Sequence, residues 1–320
     1  MSQTYETTKA LNPAEATAEQ IVHVDMDELG IILHKRSHRD RLKEQLKYCL
    51  ANPGTPLTIF MPVCPDYPQE INWTPGETSV GTGIGHVGTQ LLELAIPFSE
   101  LLAQHNIAVH FIFGYADNEA IDPDHLACRQ LSSDVYIERI KQSMRHMQER
   151  ATAATEHISE DYPVQVTTMP LSQIINPQTM IAARDTLKNL KETTPGGIAS
   201  TRTNLYKRVF RDHPDFVNIS GLQDLSERRA TIDILEHTAL GLWAGEQAED
   251  TPLCIFTLSP VSLTKFYNYS GIHSVVPVMG IARDTESNGN ASRLTNRHQD
   301  PYLRYMERIG LSDPAYTGEN

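Results

Sequence analysis

The stretch LTIFMPVC, Leu57 to Cys64, predicts the fold more clearly than any other part of the sequence. It is a short apolar run with β-branched and aromatic residues, which is typical of a strand buried on both faces of a parallel sheet. Further strands are predicted where similar short runs recur: IAVHFIF at 107–113, PVQVTTM at 163–169, LCIFTL at 253–258 and SVVPVM at 274–279.

Segments with helical spacing separate these strands. Leu42, Leu46 and Leu50 lie four residues apart and predict an amphipathic helix over 40–50. Other helices are predicted over 86–102, over 132–155 with Ser132 as cap, from Asn176-Pro177 onward, and over 225–244. Strands that alternate with helices favour parallel βαβ units. The predicted fold class is therefore α/β, with a Rossmann-like doubly wound, mainly parallel sheet and helical elaborations.

The polarity of the two ends predicts the domain organisation. Residues 1–20 are expected to be a flexible N-terminal tail, 21–282 a single α/β catalytic or ligand-binding domain, and 283–320 a polar C-terminal segment. No apolar run approaches the roughly 20 residues that span a bilayer. The four cysteines form no C-x-x-C pair, which excludes a Cys-rich zinc module and favours a reducing, cytoplasmic location. No structural metal is expected.

The acidic charge is unevenly distributed along the chain. The formal net charge is −13, and residues 51–129, with nine acids and one base, contribute −8 of it. This disfavours a pocket built on Lys and Arg phosphate clamps and favours a cationic substrate, such as an arginyl or lysyl group. Two basic stretches, 34–43 and 202–211, lie outside that segment. They are expected to contact tRNA, with a charged helix face as the alternative.

In open α/β sheets, ligands bind beyond the carboxyl ends of the strands. Polar residues follow three predicted strands and are candidates for the pocket: Cys64, Asp66 and Tyr67; Asp117 and Glu119; and Ser259. The Cys64 thiol is a candidate nucleophile, with a buried core cysteine as the alternative. The acids would recognise substrate or Mg²⁺, or would instead cap helices. Tyr267 and Tyr269 would either close the pocket or pack a turn.

A glycine-rich segment opens the helix that follows the first strand. Residues 83–88 match G-x-G-x-x-G, with Gly83, Gly85 and Gly88 as the glycines. Backbone amides in such a loop can approach a phosphate at a helix N-terminus. The nicotinamide-binding form places the glycines directly after the strand, whereas 16 residues separate Cys64 from Gly81 here. A turn that packs the helix on the sheet is the structural alternative.

The predicted helix over 225–244 places Arg229, Asp233, Glu236 and His237 near one another on its surface. Such a cluster can perform acid–base chemistry or bind substrate. A salt-linked, solvent-exposed helix face is the alternative, and the spacing alone favours it.

One tetrapeptide carries a family resemblance. His86-Val87-Gly88-Thr89 resembles the H-I-G-H signature of class I aminoacyl-tRNA synthetases, which implies that His86 and Gly88 contact ATP, with Mg²⁺ as a further cofactor. The cyclodipeptide synthases are similar in fold over roughly residues 55–282 and use charged tRNA without ATP. In that family a serine nucleophile ends the first strand, where this chain has Cys64. A later helix supplies Tyr and Glu, and Glu236 is the corresponding acid here.

These observations favour a transferase that moves an aminoacyl or nucleotidyl group, as in cyclodipeptide synthase-like peptide bond formation. Cys64 would be the nucleophile, Glu236 or His237 the proton-transfer group, and Asp117 or Glu119 the substrate-recognition group. Two alternatives stay open. One is a non-catalytic protein that binds a small metabolite or peptide, and the other is a nicotinamide- or sugar-nucleotide-dependent enzyme.

Overall fold

The computed structural model describes residues 12–33, 36–63, 91–92, 95–121, 123, 126, 132–158, 161–162, 164–191, 203, 222–257 and 276–281. The described strands form one six-stranded sheet in the order β1-β6-β5-β2-β3-β4. They are β1 Ile31–Leu33, β2 Leu57–Val63, β3 Val109–Tyr115, β4 Val164–Pro170, β5 Leu253–Thr257 and β6 Val278–Ile281. Strands β2 to β6 run parallel to one another, whereas the edge strand β1 is antiparallel to β6. The predicted α/β class with a mainly parallel sheet is confirmed.

The strand order locates the point where the direction of winding reverses. From β2 the chain adds β3 and β4 on one side, and then returns to add β5 and β6 on the other side of β2. The carboxyl ends of β2 and β5 therefore border the topological switch point, which is where sheets of this class bind ligands. Cys64 is the residue that follows β2 in the sequence.

Helices cover both faces of this sheet. The longer described ones are Pro13–Gln20, Arg36–Ala51, the segment 91–92 and 95–104, Ser133–Thr155, Pro177–Lys191 and the long helix Leu222–Asp250. The predicted caps are confirmed, because Ser132 Oγ accepts from the Val135 amide at 3.4 Å and Asn176 Oδ1 accepts from the Thr179 amide at 2.9 Å. None of the helices in the described part of the chain is long and apolar enough to cross a membrane.

Alternate residues of the central strands divide between two hydrophobic cores. Ile59, Met61 and Val63 of β2 point into the core that the Arg36–Ala51 and Ser133–Thr155 helices cover. Phe60 points to the opposite core, where its ring packs at a tilt against Trp243 of the long helix, with centroids 5.0 Å apart. Both faces of the sheet are therefore buried, as the continuous apolar pattern of β2 predicts.

The N-terminal region departs from the expectation of a tail through residue 20. A helix begins at Pro13, where the Asn12 side chain accepts from the Ala14 amide at 3.1 Å, and Ala18 of this helix is fully buried. Asn followed by Pro is a helix-start signal that the polar composition obscures. Strand β1 is also absent from the predicted strands, because three residues are too few to show a period-two pattern.

Candidate functional site

The long helix Leu222–Asp250 is longer than the strands of the sheet. Its 29 residues span about 43 Å at the rise of an α-helix, whereas the five residues of β5 span about 17 Å. The helix ends at Asp250, just before β5 begins at Leu253, and the Arg41 guanidinium donates to the carbonyl of Ala248 near that end. In a βαβ unit the helix runs antiparallel to the strand that follows it, so Glu236, about 21 Å before Asp250, is expected near the level of the carboxyl ends, and Arg229 about 10 Å further along the helix.

Two charged side chains are buried in the N-terminal half of this helix. Arg229 is 3% exposed and Glu236 is 5% exposed, and Ser226 on the same part of the helix is fully buried. Arg229 and Glu236 are seven residues apart, about two turns, so they lie on one face. The prediction of a solvent-exposed face is therefore wrong for these two residues, while a salt link between charges of this face stays a prediction. His237, the next residue, is half-buried.

A charged side chain that is buried needs a compensating partner. Removing an ion from water costs several kcal/mol unless partners compensate for it. Both Arg229 and Glu236 have interaction partners, so neither charge is isolated. Charged groups held in this way at the ligand-binding edge of a sheet are candidates for substrate recognition and proton transfer. The sequence did not predict the burial, because the spacing of residues along a helix does not show which other elements pack against it.

Asp117 connects the carboxyl ends of β3 and β4. Its Oδ1 accepts from the Ser172 amide at 2.9 Å, and its Oδ2 accepts from the Ser172 hydroxyl at 2.5 Å. Ser172 lies in the helical turn Leu171–Ile174 that directly follows β4. The capping alternative therefore describes this carboxylate, which fixes the end of β3. Direct substrate binding by Asp117 stays a prediction, as does a role for Glu119, whose side chain lies outside the described residues.

Tyr115 is the last residue of β3 and is fully buried. It pairs with Val63 of β2 on one side and with Pro170 of β4 on the other. Within the described part of the chain, its hydroxyl makes no hydrogen bond. Burial raises the pKa of this phenol, so the hydroxyl keeps its proton at neutral pH. The predicted strand ends at Phe113, and residues 115–119 are expected to follow it as a polar stretch near the pocket, so the sequence does not predict the burial of the Tyr115 hydroxyl within β3.

His110 lies near the opposite, amino-terminal end of β3. Its Nε2 lies 2.9 Å from the Thr167 hydroxyl, and burial lowers the pKa of the imidazole. His110 is therefore remote along the strand from Tyr115. No three His, Cys, Asp or Glu side chains in the described ranges are grouped as metal ligands would be.

Part of the first basic stretch, 34–43, is paired within the molecule. Lys43 Nζ lies 3.0 Å from Glu19, whose hydrogen bond raises the lysine pKa, and an Arg39 Nη lies 3.6 Å from Asp27. The alternative of a charged helix face therefore describes these two cations. Contact between tRNA and either basic stretch stays a prediction, and of 202–211 the structure describes only Thr203.

The remaining predicted site residues lie outside the described part of the chain. They are Cys64, Asp66, Tyr67, Gly83, Gly85, His86, Gly88, Ser259, Tyr267 and Tyr269. Of the predicted site residues that the structure does describe, Asp117 lies at the end of β3, and Glu236 and His237 lie on the long helix.

Comparison with solved structures shows a distant likeness in fold. The chain is similar to the cyclodipeptide synthase from Candidatus Glomeribacter gigasporarum, in a structure bound to Phe-tRNAPhe, with a TM-score of 0.44 and 11% sequence identity. The alignment covers 76% of this chain and 93% of the synthase. No family model matches the chain, and no curated protein matches its sequence.

Proposed function

We propose that this protein is a transferase that moves an aminoacyl group, delivered as an ester of tRNA, at the carboxyl edge of its parallel sheet. The observation that carries the proposal is the burial of Arg229 and Glu236 on one face of the N-terminal half of the long helix. Apolar residues of similar volume would fill such positions at lower cost, so the charges favour a role in binding or chemistry.

Aminoacyl transfer needs the chemistry that these residue types supply. A carboxylate such as Glu236 can bind the ammonium group of an aminoacyl ester and accept its proton as the amine becomes a nucleophile. The guanidinium of Arg229 suits the opposite need, because it stabilises negative charge on an acyl or phosphate oxygen. When the acyl group leaves tRNA, the acyl–oxygen ester bond breaks and the ribose oxygen takes up a proton.

Cys64 is the proposed first acceptor of the acyl group. Its thiolate would attack the ester carbonyl, forming a thioester and releasing tRNA, and a second amine would then displace the thiol. The residue follows β2 in the sequence, and β2 borders the switch point of the sheet. The acidity of residues 51–129, with a charge of −8, favours a cationic acyl group such as arginyl.

The test is a transfer assay with two arms, one in which the amino acid is supplied as aminoacyl-tRNA and one in which it is supplied with ATP. Purified protein is given a mixture of radiolabelled aminoacyl-tRNAs, and we expect release of a peptide-type product without ATP. We expect Cys64→Ala to lower the rate at least 100-fold and Cys128→Ala, the matched cysteine control, to leave it unchanged. In the second arm, pyrophosphate release from ATP plus amino acids would indicate nucleotidyl transfer, with ATP and Mg²⁺ as cofactors. A wild-type protein that is inactive in both arms would contradict the proposal.

A second candidate function is binding of a small cationic metabolite without catalysis. The acidic character of residues 51–129 favours it independently of Glu236 and Arg229. Arginine methyl ester serves as the probe, because it carries the cationic side chain and an acyl ester. A ligand that binds only the folded state raises the melting temperature. A concentration-dependent rise, with no turnover in either transfer arm, would favour this second function.

A further inference from the structure

Strand β3 places three aromatic residues on one of its faces: Phe111, Phe113 and Tyr115. All three are fully buried in the same hydrophobic core, and the rings of Phe111 and Phe113 meet edge to face with centroids 6.4 Å apart. The ring of a phenylalanine would fill position 115 as well as that of a tyrosine. Only the residue at the carboxyl end of the strand carries a hydroxyl, so the apolar packing does not explain it.

The hydroxyl of Tyr115 has no hydrogen-bond partner among the described residues. No group in the described residues hydrogen-bonds to it, and an unsatisfied buried donor costs about 1–3 kcal/mol. The backbone of Tyr115 is fixed between Val63 and Pro170 in the sheet. The Asp117–Ser172 hydrogen bonds fix the chain just beyond it. The strand therefore has little freedom to move the hydroxyl toward another protein group.

From this geometry we infer that Tyr115 is a substrate-binding residue, whose hydroxyl donates a hydrogen bond to an acceptor oxygen of the ligand. Tyr115 stands at the carboxyl edge of the sheet, next to the last residue of β2, where ligands of this fold class bind. Because the phenol keeps its proton, it acts as a donor. If the proposed function is right, the acceptor is the carbonyl oxygen of the aminoacyl ester. The inference that the hydroxyl binds a ligand does not depend on that function.

The matched variants Tyr115→Phe and Tyr48→Phe test this inference. Tyr48 is half-exposed on the Arg36–Ala51 helix, so its variant controls for the loss of a hydroxyl. We expect ligand-free Tyr115→Phe to be at least as stable as wild type in urea, with an unfolding constant equal or up to about 10-fold smaller, because an unsatisfied donor is removed. We expect its kcat/KM with charged tRNA to fall at least 10-fold. Tyr48→Phe should match the wild type in both measurements.

The outcomes separate this inference from the proposed function. If wild type and Tyr115→Phe transfer equally well, the inference is overturned while the proposed function stands. If the wild type transfers nothing, the proposed function fails and the urea measurement decides: a gain in stability supports a hydroxyl reserved for another acceptor ligand. A 10-fold or larger rise in the unfolding constant of Tyr115→Phe shows that the hydroxyl has a structural partner, which overturns the inference in every case.

Discussion

Gly114 is the residue at which the end of β3 has the least space. A Cβ built on it would lie 2.8 Å from Cε2 of Phe60 and 2.9 Å from Cδ2 of Leu171. Both distances are shorter than real Cβ contacts, so the neighbouring side chains would have to move. We expect Gly114→Ala to destabilise the protein by about 1–3 kcal/mol through overpacking. Urea unfolding measures this, and an unchanged midpoint and slope would show that the two side chains give way freely.

The two described cysteines are expected to be unreactive in the folded protein. Burial raises the pKa of the Cys49 thiol to about 12, and it raises the pKa of the fully buried Cys254 thiol as well. Since the raised pKa leaves very little thiolate at pH 8, alkylation of the folded protein should spare both residues. Mass spectrometry of the labelled peptides checks this, with urea-unfolded protein as the fully reactive control. Rapid labelling of either residue in the folded state would contradict the burial.

At the scale of elements, the Asp117–Ser172 link joins the end of β3 to the helical turn after β4. Removing it with Asp117→Ala should cost about 1 kcal/mol or more of stability, since a capping carboxylate and its hydrogen bonds are removed. Asp117→Ala combined with Ser172→Ala should cost less than the sum of the two single changes, because both remove the same link. The exposed Asp161→Ala is the matched control and should have little effect on stability. Strict additivity would contradict the link.

The elements that the sequence predicts well are those with strong local patterns. The run from Leu57 predicts β2 to within one residue, and Ser132 and Asn176 mark helix starts that the structure confirms. A buried stripe on the long helix is predicted by the spacing of Ile232, Leu235, Ala239 and Leu242. Of these residues Ala239 is fully buried, whereas the other three are only partly buried.

At the scale of the whole molecule, the paired cations of the first basic stretch lead to a prediction about tRNA. Arg39 and Lys43 already pair with acids of the N-terminal helical region. Changing both to Ala should therefore leave the salt dependence of tRNA binding unchanged. Changing Lys207 and Arg208 to Ala should reduce the slope of log K against log salt by about 0.7 to 0.9 for each phosphate that the variant no longer neutralises. Filter binding between 50 and 200 mM salt distinguishes the two variants, and the reverse pattern would contradict this assignment.

The candidate site was only partly predictable from the sequence. The rule that ligands bind at carboxyl strand ends pointed to Asp117, and the alternation of strands and helices predicted the sheet that places it there. The sequence named Glu236 as a candidate, but it did not predict that the hydroxyl of Tyr115 and the charges of Arg229 and Glu236 are buried. Whether a polar atom is buried depends on which elements pack around it, and one segment of the sequence does not show which elements these are.

Glu236 is the group on which the proposed transfer depends most. In Glu236→Gln the carboxylate is replaced by an amide of nearly the same shape, which binds no proton at neutral pH. Glu246→Gln makes the same change at an exposed position of the same helix. With saturating aminoacyl-tRNA, and with folding verified by circular dichroism, we expect the single-turnover rate of Glu236→Gln to fall at least about 100-fold, the usual contribution of a general acid or base. Glu246→Gln should retain the wild-type rate. A folded Glu236→Gln variant that transfers as fast as the wild type would contradict the proposed role of the buried acid.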